Sequence, residues 1–207
     1  VEARKNHALA LRAWQSLIER HGADHVPDLV CIGRLGWHSA DFLRDYVTTS
    51  GLGGKISVLS SSVTDAELAR FYAHADFTVY PSRYEGWGLP VSESLAFGRL
   101  PVVAYNSSLP EAGRDLASYF RTDDVEDFVH VVEEQALDLD KRRFHEARIA
   151  ADTADPVTWE RVAEVIQREV TIAAEAEGRR PVYPTIEIGR EYMLASESVA
   201  LDQGGFR

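Results

Sequence analysis

The stretch Tyr84-Glu85-Gly86-Trp87-Gly88-Leu89-Pro90-Val91-Ser92-Glu93 joins a strand-like run, residues 77–80, to an apolar helix predicted over residues 90–97. A loop that leads from a strand into a helix N-terminus directs free backbone N–H groups toward one point, which suits an anion. Glu85 and Glu93 can bind hydroxyl groups on either side of that anion. The stretch therefore predicts a site for a sugar attached to a nucleoside diphosphate.

Strands alternate with helices over the first 105 residues outward from this stretch. This alternation predicts an α/β fold, a Rossmann-like and mostly parallel sheet with helices on both faces, whose ligands bind at the carboxyl ends of the strands. Residues 107–111 are expected in a long loop. The predicted strands cover residues 28–32, 55–59, 77–80 and 100–105. Helices are predicted to begin at Asn6, Ser39, the Thr64–Glu67 capping box, Pro90, Asp124, Asp140 and Thr158.

Net charge, cysteine content and the length of apolar runs limit the kinds of partner and compartment that the protein is expected to have. The 207 residues carry a formal net charge of −11, which argues against nucleic acid or anionic lipid as a general partner. The single cysteine, Cys31, lies in an apolar run and is expected to be a buried thiol, which fits a reducing cytoplasm. No run reaches the roughly 18 apolar residues of a spanning helix. We therefore expect a cytoplasmic protein that meets the inner face of the membrane only through a longer parent chain.

Motifs for metal, nucleophilic or dinucleotide chemistry are not found. The seven histidines form no ligand spacing with another histidine, cysteine or carboxylate, so neither a metal nor another cofactor is predicted. The loop between Glu85 and the helix could extend to about 17 Å. That is wide for the carboxylate pair of a retaining glycosidase, about 5 Å apart, and suits two ends of one long ligand.

Two cations, Arg4 and Lys5, precede the first predicted helix. Cations at a helix N-terminus oppose its macrodipole, so their position makes sense if an anion lies between them and the helix. Arginine can contact phosphate oxygens with two N–H groups, and lysine supplies a point charge.

Three segments together resemble the nucleotide-sugar-binding, C-terminal domain of a retaining group-1 (family 4) glycosyltransferase of the GT-B fold. They are residues 2–6 (Glu-Ala-Arg-Lys-Asn), residues 85–93 and residues 108–111 (Ser-Leu-Pro-Glu). The resemblance runs to about Ala174 and is closest to bacterial enzymes that extend surface polysaccharides, often mannosyl or rhamnosyl transferases. It implies a donor domain over residues 1–178, with its first strand largely missing, and a tail or linker over residues 179–207.

The resemblance implies a role for each matching residue. Arg4 and Lys5 would neutralise the departing diphosphate, and Glu85 would face the transferred sugar, so these three are the predicted catalytic residues. The remaining predicted donor-binding residues serve the base, the ribose, the sugar and the phosphate. They are Val63 at the nucleobase, Glu93 at the ribose, Tyr84 in the base or sugar pocket, and Gly86, Trp87, Gly88 and Leu89 in the loop, where the amides of the last three bind sugar and phosphate.

The resemblance also implies that a glycan acceptor is bound by an N-terminal domain that this chain lacks. The 207 residues alone are then expected to bind donor weakly and to transfer sugar poorly or not at all. Two alternatives stay open at this point. One is a nucleotide-sugar epimerase of the same GT-B architecture, and the other is a non-catalytic domain that scaffolds a polysaccharide-synthesis complex.

Overall fold

Parallel strands form the centre of the first compact unit of the chain, Val1–Pro156. A computed structural model describes residues 1–152, 158–175, 191–194 and 197–200. Strand β1 pairs with β2, and β3, β4 and β5 pair in that order, all in parallel. Their bounds are β1 (Leu29–Ile32), β2 (Ile56–Leu59), β3 (Thr78–Tyr80), β4 (Pro101–Ala104) and β5 (Ser118–Phe120).

Helices flank these strands, which confirms the predicted α/β class. Short 3-10 turns cover Ala3–Lys5 and Ala23–His25. The helices are α1 (His7–His21), α2 (Ala40–Thr48), α3 (Ser50–Gly53), α4 (Asp65–His74), α5 (Leu89–Ala96), α6 (Leu109–Gly113), α7 (Val125–Leu137), α8 (Leu139–Asp152) and α9 (Trp159–Glu175).

The core lies between β4, β5 and the helices α1 and α7. All four residues of β4 are buried, as expected for a strand with neighbours on both sides. Phe120 of β5 stacks on Phe128 of α7 with 4.3 Å between the ring centroids. Trp14 of α1 is 1% exposed and its indole N–H donates to the carbonyl of Pro27 at 2.8 Å, so its one polar atom is satisfied.

One of the three helix caps predicted from side chains forms, and a cap also forms at the helix start predicted at Asp124. Thr64 and Glu67 make the reciprocal capping box of α4, and the side chain of Asp124 accepts from the backbone N–H of Asp127 at the start of α7. The other two were wrong as side-chain caps. Asn6 precedes α1 but its amide donates to Asp123, and the hydroxyl of Ser39 donates to the carbonyl of Gly36.

The helix that begins after Ser39 is predicted to end near Gly51, but α2 ends at Thr48. After Thr49, residues 50–54 all have positive φ, between 51° and 94°, and so form a left-handed turn that includes α3. A Cβ on Gly51 would lie 2.5 Å from the carbonyl oxygen of Ile56. The turn therefore requires glycine at that position for space as well as for backbone conformation.

Short elements account for the other differences. Part of the expected loop at 107–111 is the short helix α6, and β5 was not predicted from its three residues. Cys31 is buried as predicted, and its burial raises the pKa of the thiol to about 11. Among the described residues, no helix is both long and apolar enough to cross a membrane.

The chain divides into two compact units, Val1–Pro156 and Val157–Arg207. The second contains α9 and an antiparallel pair, β6 (Glu191–Leu194) and β7 (Glu197–Ala200). The sequence predicted no strands in this part of the chain. The functional boundary expected at residue 178 stays a prediction, and most of the predicted tail lies outside the described residues.

Candidate functional site

Glu85 bridges the two predicted cations. Its Oε2 accepts from Nη1 of Arg4 at 2.5 Å, and its Oε1 accepts from Nζ of Lys5 at 2.6 Å. The side chain of Glu85 is 11% exposed, against 42% for Arg4 and 33% for Lys5. A second carboxylate, Glu2, accepts from Nη2 of Arg4 at 2.6 Å. The structure thus brings together the three predicted catalytic residues, which are 80 and 81 positions apart in sequence.

The protonation states follow from these contacts. Burial alone raises the pKa of the Glu85 carboxyl, but the hydrogen bonds from Lys5 and Arg4 outweigh it and hold the pKa below its ordinary value. The hydrogen bond from Arg4 to Glu85 raises the pKa of the guanidinium in turn. Glu85 is therefore an anion at neutral pH, and the guanidinium of Arg4 remains charged.

Loops after two neighbouring strands, β3 and β4, build the surroundings of Glu85. Its backbone N–H donates to Oγ of Ser107 at 3.0 Å, and its carbonyl accepts from Oγ of Ser108 at 3.0 Å. The carbonyl of Tyr84 accepts from Arg4 at 2.7 Å. Because the loops after β3 and β4 leave the same edge of a parallel sheet, serines of one loop can fix the backbone of the other.

The N-terminus of α5 offers unpaired donors beside this cluster. The backbone N–H groups of Gly86, Trp87, Gly88 and Leu89 have no hydrogen-bond acceptor among the described residues. Gly88 has φ 99°, and a Cβ there would lie 2.8 Å from Cδ2 of Leu109 in α6. Glycine at this position therefore lets the loop turn into α5 while it packs closely on α6.

Glu93 lies in the second turn of α5 and is fixed by a residue of α4. Its Oε2 accepts from the hydroxyl of Tyr72 at 2.8 Å. Tyr80 at the end of β3 donates to the same tyrosine oxygen at 3.4 Å, and burial raises the pKa of Tyr80 to about 12. Glu93 therefore has a defined direction without a cation partner among the described residues.

The remaining predicted site residues lie around this edge with looser contacts. Tyr84, Trp87 and Leu89 have exposed side chains, and Nε1 of Trp87 donates to Oγ of Ser92 at 3.2 Å. Val63 is half-buried just before α4. No hydrogen bond within the described ranges joins Val63 to the other predicted site residues. Its contact with a nucleobase stays a prediction.

Within the described residues, no group of three or more His, Cys, Asp or Glu side chains could hold a metal ion. The site instead contains two cations, two carboxylates and, in the loop before α5, backbone N–H groups without an acceptor among the described residues. Such an arrangement can receive a multiply charged anion with hydroxyl groups on both sides of it.

Comparison with known proteins decides the family. The model of the family described as "Glycosyl transferases group 1" matches residues 1–143. The chain belongs to the group 1 glycosyltransferases. The predicted family membership is thereby confirmed, and the cation pair, Glu85, Glu93 and the loop before α5 all lie inside the matched range.

Two relatives of this group 1 glycosyltransferase come from Escherichia coli. The chain is 35% identical to "O-antigen chain mannosyltransferase B" over 161 residues, which is 77% of this chain and 41% of the relative. It is 29% identical to "Serotype-specific mannosyltransferase WbdA" over 177 residues, 85% of this chain and 21% of the relative. The chain thus spans only about a fifth to two fifths of the length of these curated relatives.

A solved structure confirms the fold. "WaaG, a glycosyltransferase involved in lipopolysaccharide biosynthesis" superposes with a TM-score of 0.63 at 19% identity, over 79% of this chain and 44% of that chain. At this identity the likeness concerns architecture alone. The group 1 glycosyltransferase has the parallel α/β architecture of one half of a GT-B fold, as predicted.

Sequence reasoning missed several supporting residues of this group 1 glycosyltransferase. Tyr72 sits at the helical spacing of a core residue, so nothing in its pattern separated it from packing. Asp123 lies in a loop far from the motif and is joined to it only through the fold. Ser108 belonged to the motif, but its bond to the backbone of Glu85 could not be read from spacing.

Proposed function

We propose that this chain is the donor-binding domain of a retaining, family 4 glycosyltransferase. It binds a nucleotide diphosphate sugar at the carboxyl edge of the sheet, and the transferred unit is a hexosyl group, with mannosyl or rhamnosyl favoured. The observation that carries the proposal is the cluster in which Glu85 bridges Arg4 and Lys5 beside the unpaired amides of the loop before α5. The printed names of the two relatives, both mannosyltransferases, support the sugar class.

Each group has a defined task in this proposal. Arg4, Lys5 and the amides of Trp87, Gly88 and Leu89 stabilise the negative charge that develops on the diphosphate as it leaves. Glu85 contacts hydroxyls of the transferred sugar, and Glu93 contacts the ribose hydroxyls. Val63 offers its backbone to the base, and Tyr84 and Gly86 complete the pocket. No step calls for a metal ion, since fixed cations and N–H groups supply the charge.

We propose that configuration is retained without a covalent intermediate. A double displacement needs a nucleophile and a separate general acid at the sugar. Glu93 is assigned to the ribose and is bonded to Tyr72, and Glu2 is bonded to Arg4, so in this proposal neither acts as a general acid beside Glu85. We therefore propose a same-face route in which the acceptor hydroxyl attacks as the diphosphate leaves, with the forming cation and the leaving anion as an ion pair, and the leaving diphosphate oxygen takes the hydroxyl proton.

The acceptor belongs to the proposal for the whole protein. We propose a growing polysaccharide as acceptor, bound by a further domain of a longer chain, with the printed name "O-antigen chain mannosyltransferase B" as support. The buried Cys31 fits a reducing compartment, and we propose the cytoplasm, with any contact to the inner face of the membrane made through the longer protein.

Calorimetric titration of the 207-residue chain with GDP-mannose, UDP-glucose and dTDP-rhamnose tests the donor role. We expect one of the three to bind, with Glu93→Ala weakening it about tenfold and Glu126→Ala, an exposed carboxylate on α7 paired with Arg20, leaving it unchanged. Absence of binding for all three donors contradicts the donor role and supports a scaffold.

Turnover measurements separate the two enzymatic alternatives. In the longer protein, Lys5→Ala is expected to lower kcat more than it raises KM, because the leaving group develops its charge in the transition state. Wild-type kinetics in that variant contradict the assignment of Lys5 to the diphosphate. An altered sugar in the nucleotide sugar incubated without acceptor, detected by NMR, identifies an epimerase instead.

A further inference from the structure

Asp123 joins the two segments that build the cluster of Arg4, Lys5 and Glu85. It lies in the loop between β5 and α7. Its Oδ1 accepts from Nδ2 of Asn6 at 2.9 Å and from Nε of Arg83 at 2.8 Å. These donors are 117 and 40 positions away in sequence, so the carboxylate connects three separate parts of the chain.

The first donor fixes the cation segment. Asn6 follows Lys5 directly, is 2% exposed and has φ 56° at the entry to α1. Its side chain does not cap the helix, and its Oδ1 has no partner among the described residues. The bond from Nδ2 to Asp123 is therefore the contact that fixes the direction of this side chain, and with it the turn that carries Arg4 and Lys5.

The second donor fixes the loop that carries Glu85. Arg83 lies two positions before Glu85, and its backbone N–H donates to the carbonyl of Arg4 at 2.9 Å. Its Nη1 also donates to the carbonyl of Ala3 at 3.3 Å. Arg83 thus holds the loop against the cation turn, and Asp123 holds the guanidinium of Arg83 in the direction that these bonds need.

The properties of Asp123 itself favour a geometric role. The side chains of Arg83 and Asp123 are 47% and 52% exposed, and ion pairs of that exposure typically stabilise a protein by about 1 kcal/mol or less. Asp123 also has φ 62°, a left-handed conformation that Asp and Asn tolerate better than most residues. The position therefore combines a strained backbone with one acceptor atom that serves two donors.

We propose that Asp123 is a positioning residue: it holds Asn6 and Arg83 so that Arg4 and Lys5 stay within hydrogen-bond distance of Glu85. It does not contact the donor in this proposal. The consequence for donor binding rests on the proposed function, whereas the consequence for the geometry of the cluster does not.

Titration of the Glu85 carboxyl by carbon-13 NMR tests the geometry without any ligand. Asp123→Gly removes the acceptor and keeps a residue that accepts positive φ, and Asp123→Asn keeps an acceptor oxygen while it removes the charge. We expect the pKa of Glu85 to rise in Asp123→Gly and to stay low in Asp123→Asn. Loss of a negative charge by itself would lower the pKa of a neighbouring carboxyl, so a rise reports loosened cations.

A second variant keeps the test decisive if Asp123→Gly fails to fold. Arg83→Lys retains the positive charge but removes the Nε contact with Asp123 and the planar fork that reaches Ala3. The pKa of Glu85 is expected to rise there as well. An unchanged pKa of Glu85 in Asp123→Gly or, failing that, in Arg83→Lys overturns the proposal, and so does an equal rise in Asp123→Asn and Asp123→Gly.

Binding of GDP, UDP and dTDP by the same variants tests the consequence for the donor. For the diphosphate that the wild-type chain binds, Asp123→Gly is expected to weaken binding about tenfold and Asp123→Asn no more than about twofold. Asp115→Ala is the matched control, because it removes another exposed Asp–Arg pair, with Arg148 at 2.7 Å. If none of the three binds to wild type while the pKa of Glu85 responds as described, the donor role fails and the positioning role stands.

Discussion

The hydroxyl of Tyr72 donates to Oε2 of Glu93 at 2.8 Å from a residue that is only 8% exposed. The ring of Tyr72 stacks on Phe97 with 5.3 Å between centroids, and Phe97 follows Glu93 by one helical turn. Burial is the largest cause that raises the pKa of Tyr72, and the nearby Tyr80 and Glu93 raise it further. The hydroxyl therefore remains a hydrogen-bond donor at any physiological pH. The direction of the Glu93 carboxylate is therefore set by α4, the helix that Val63 precedes.

Replacing Tyr72 by phenylalanine tests this orientation. Tyr72→Phe keeps the stacked ring and removes the hydrogen bond to Glu93. We expect binding of the preferred nucleoside diphosphate to weaken about tenfold, since a hydrogen bond to a charged group contributes on the order of 1.5–3 kcal/mol. Calorimetry measures the effect. Tyr119→Phe, which removes a hydroxyl bonded to the carbonyl of Arg114 at 2.7 Å, should leave binding as it is.

The ion pairs of Glu85 predict an acid-dependent loss of stability. Its pKa is below the ordinary 4.5 in the folded chain, so the unfolded chain takes up a proton first as the pH falls. The contribution of Glu85 to the free energy of unfolding is fully present above about pH 4.5 and is lost as the pH falls through the native pKa.

Urea unfolding at a series of pH values measures this contribution. Glu85→Gln should be less stable than wild type at neutral pH and should approach it in acid. Glu126→Gln, at a carboxylate that is 73% exposed, should follow the wild-type pH dependence. A constant difference between Glu85→Gln and wild type across the whole range would show that the native pKa is not lowered.

His7 is uncharged at neutral pH in the folded chain and adds a second pH dependence of stability with the same sign. Its ring lies 5.4 Å from that of Phe42, and its Nδ1 has no partner among the described residues. Burial, aided by nearby positive charge that includes Lys5, lowers the pKa of His7 to about 4. Between about pH 6.5 and about pH 4 the unfolded chain therefore binds one more proton than the native chain.

Stability should fall as the pH falls through that window, by at most about 1.4 kcal/mol per pH unit for one such group. The expected result for His7→Phe is a flatter pH profile in urea unfolding, with the difference from wild type growing toward acid. The matched control is His130→Phe, at a histidine whose side chain is 67% exposed. Identical slopes for wild type and His7→Phe would mean that the buried ring is protonated in the native state.

Gly88 and Gly98 flank α5 and differ in their surroundings. Both have positive φ, 99° and 70°. A Cβ at Gly88 would lie 2.8 Å from a methyl group of Leu109, whereas a Cβ at Gly98 would meet nothing within 4 Å. Gly88→Ala should therefore lower the free energy of unfolding by about 2–3 kcal/mol, and Gly98→Ala by about 1–2 kcal/mol. Thermal or urea unfolding gives both values, and equal losses would show that α6 moves aside without a penalty.

Periodic elements and the capping box of α4 could be predicted from the sequence, whereas the caps expected at Asn6 and Ser39 could not. The predicted strand 77–80 differs from β3 by one residue at its start, and the predicted helix 90–97 differs from α5 by one residue at each end. The capping box of Thr64 and Glu67 is local, so its geometry follows from spacing alone. The left-handed turn at 50–54 could not be predicted in this way, because Ser50 and Leu52 are poor residues for positive φ and the fold imposes their conformation.

In the candidate site too, features that are local in sequence could be predicted and long-range contacts could not. Its motif residues could be predicted because Glu85, Glu93 and the glycines are close in sequence. The partners of those residues could not, because Arg4, Tyr72 and Asp123 reach the motif only after the sheet has formed. In particular, the sequence assigned the cations to a phosphate and Glu85 to a sugar, without indicating that they pair with one another.

If the chain binds a nucleotide sugar as proposed, that pairing makes donor binding an exchange reaction. Arg4 and Lys5 with Glu2 and Glu85 form a cluster of net charge zero. A diphosphate that takes the two cations must displace a carboxylate of similar geometry, so much of its attraction replaces one already satisfied. The displaced Glu85 is then released as an unpaired anion, free to reorient. Binding of the diphosphate and release of the Glu85 carboxylate toward the sugar are then coupled. Without a ligand, the carboxylates neutralise the two cations.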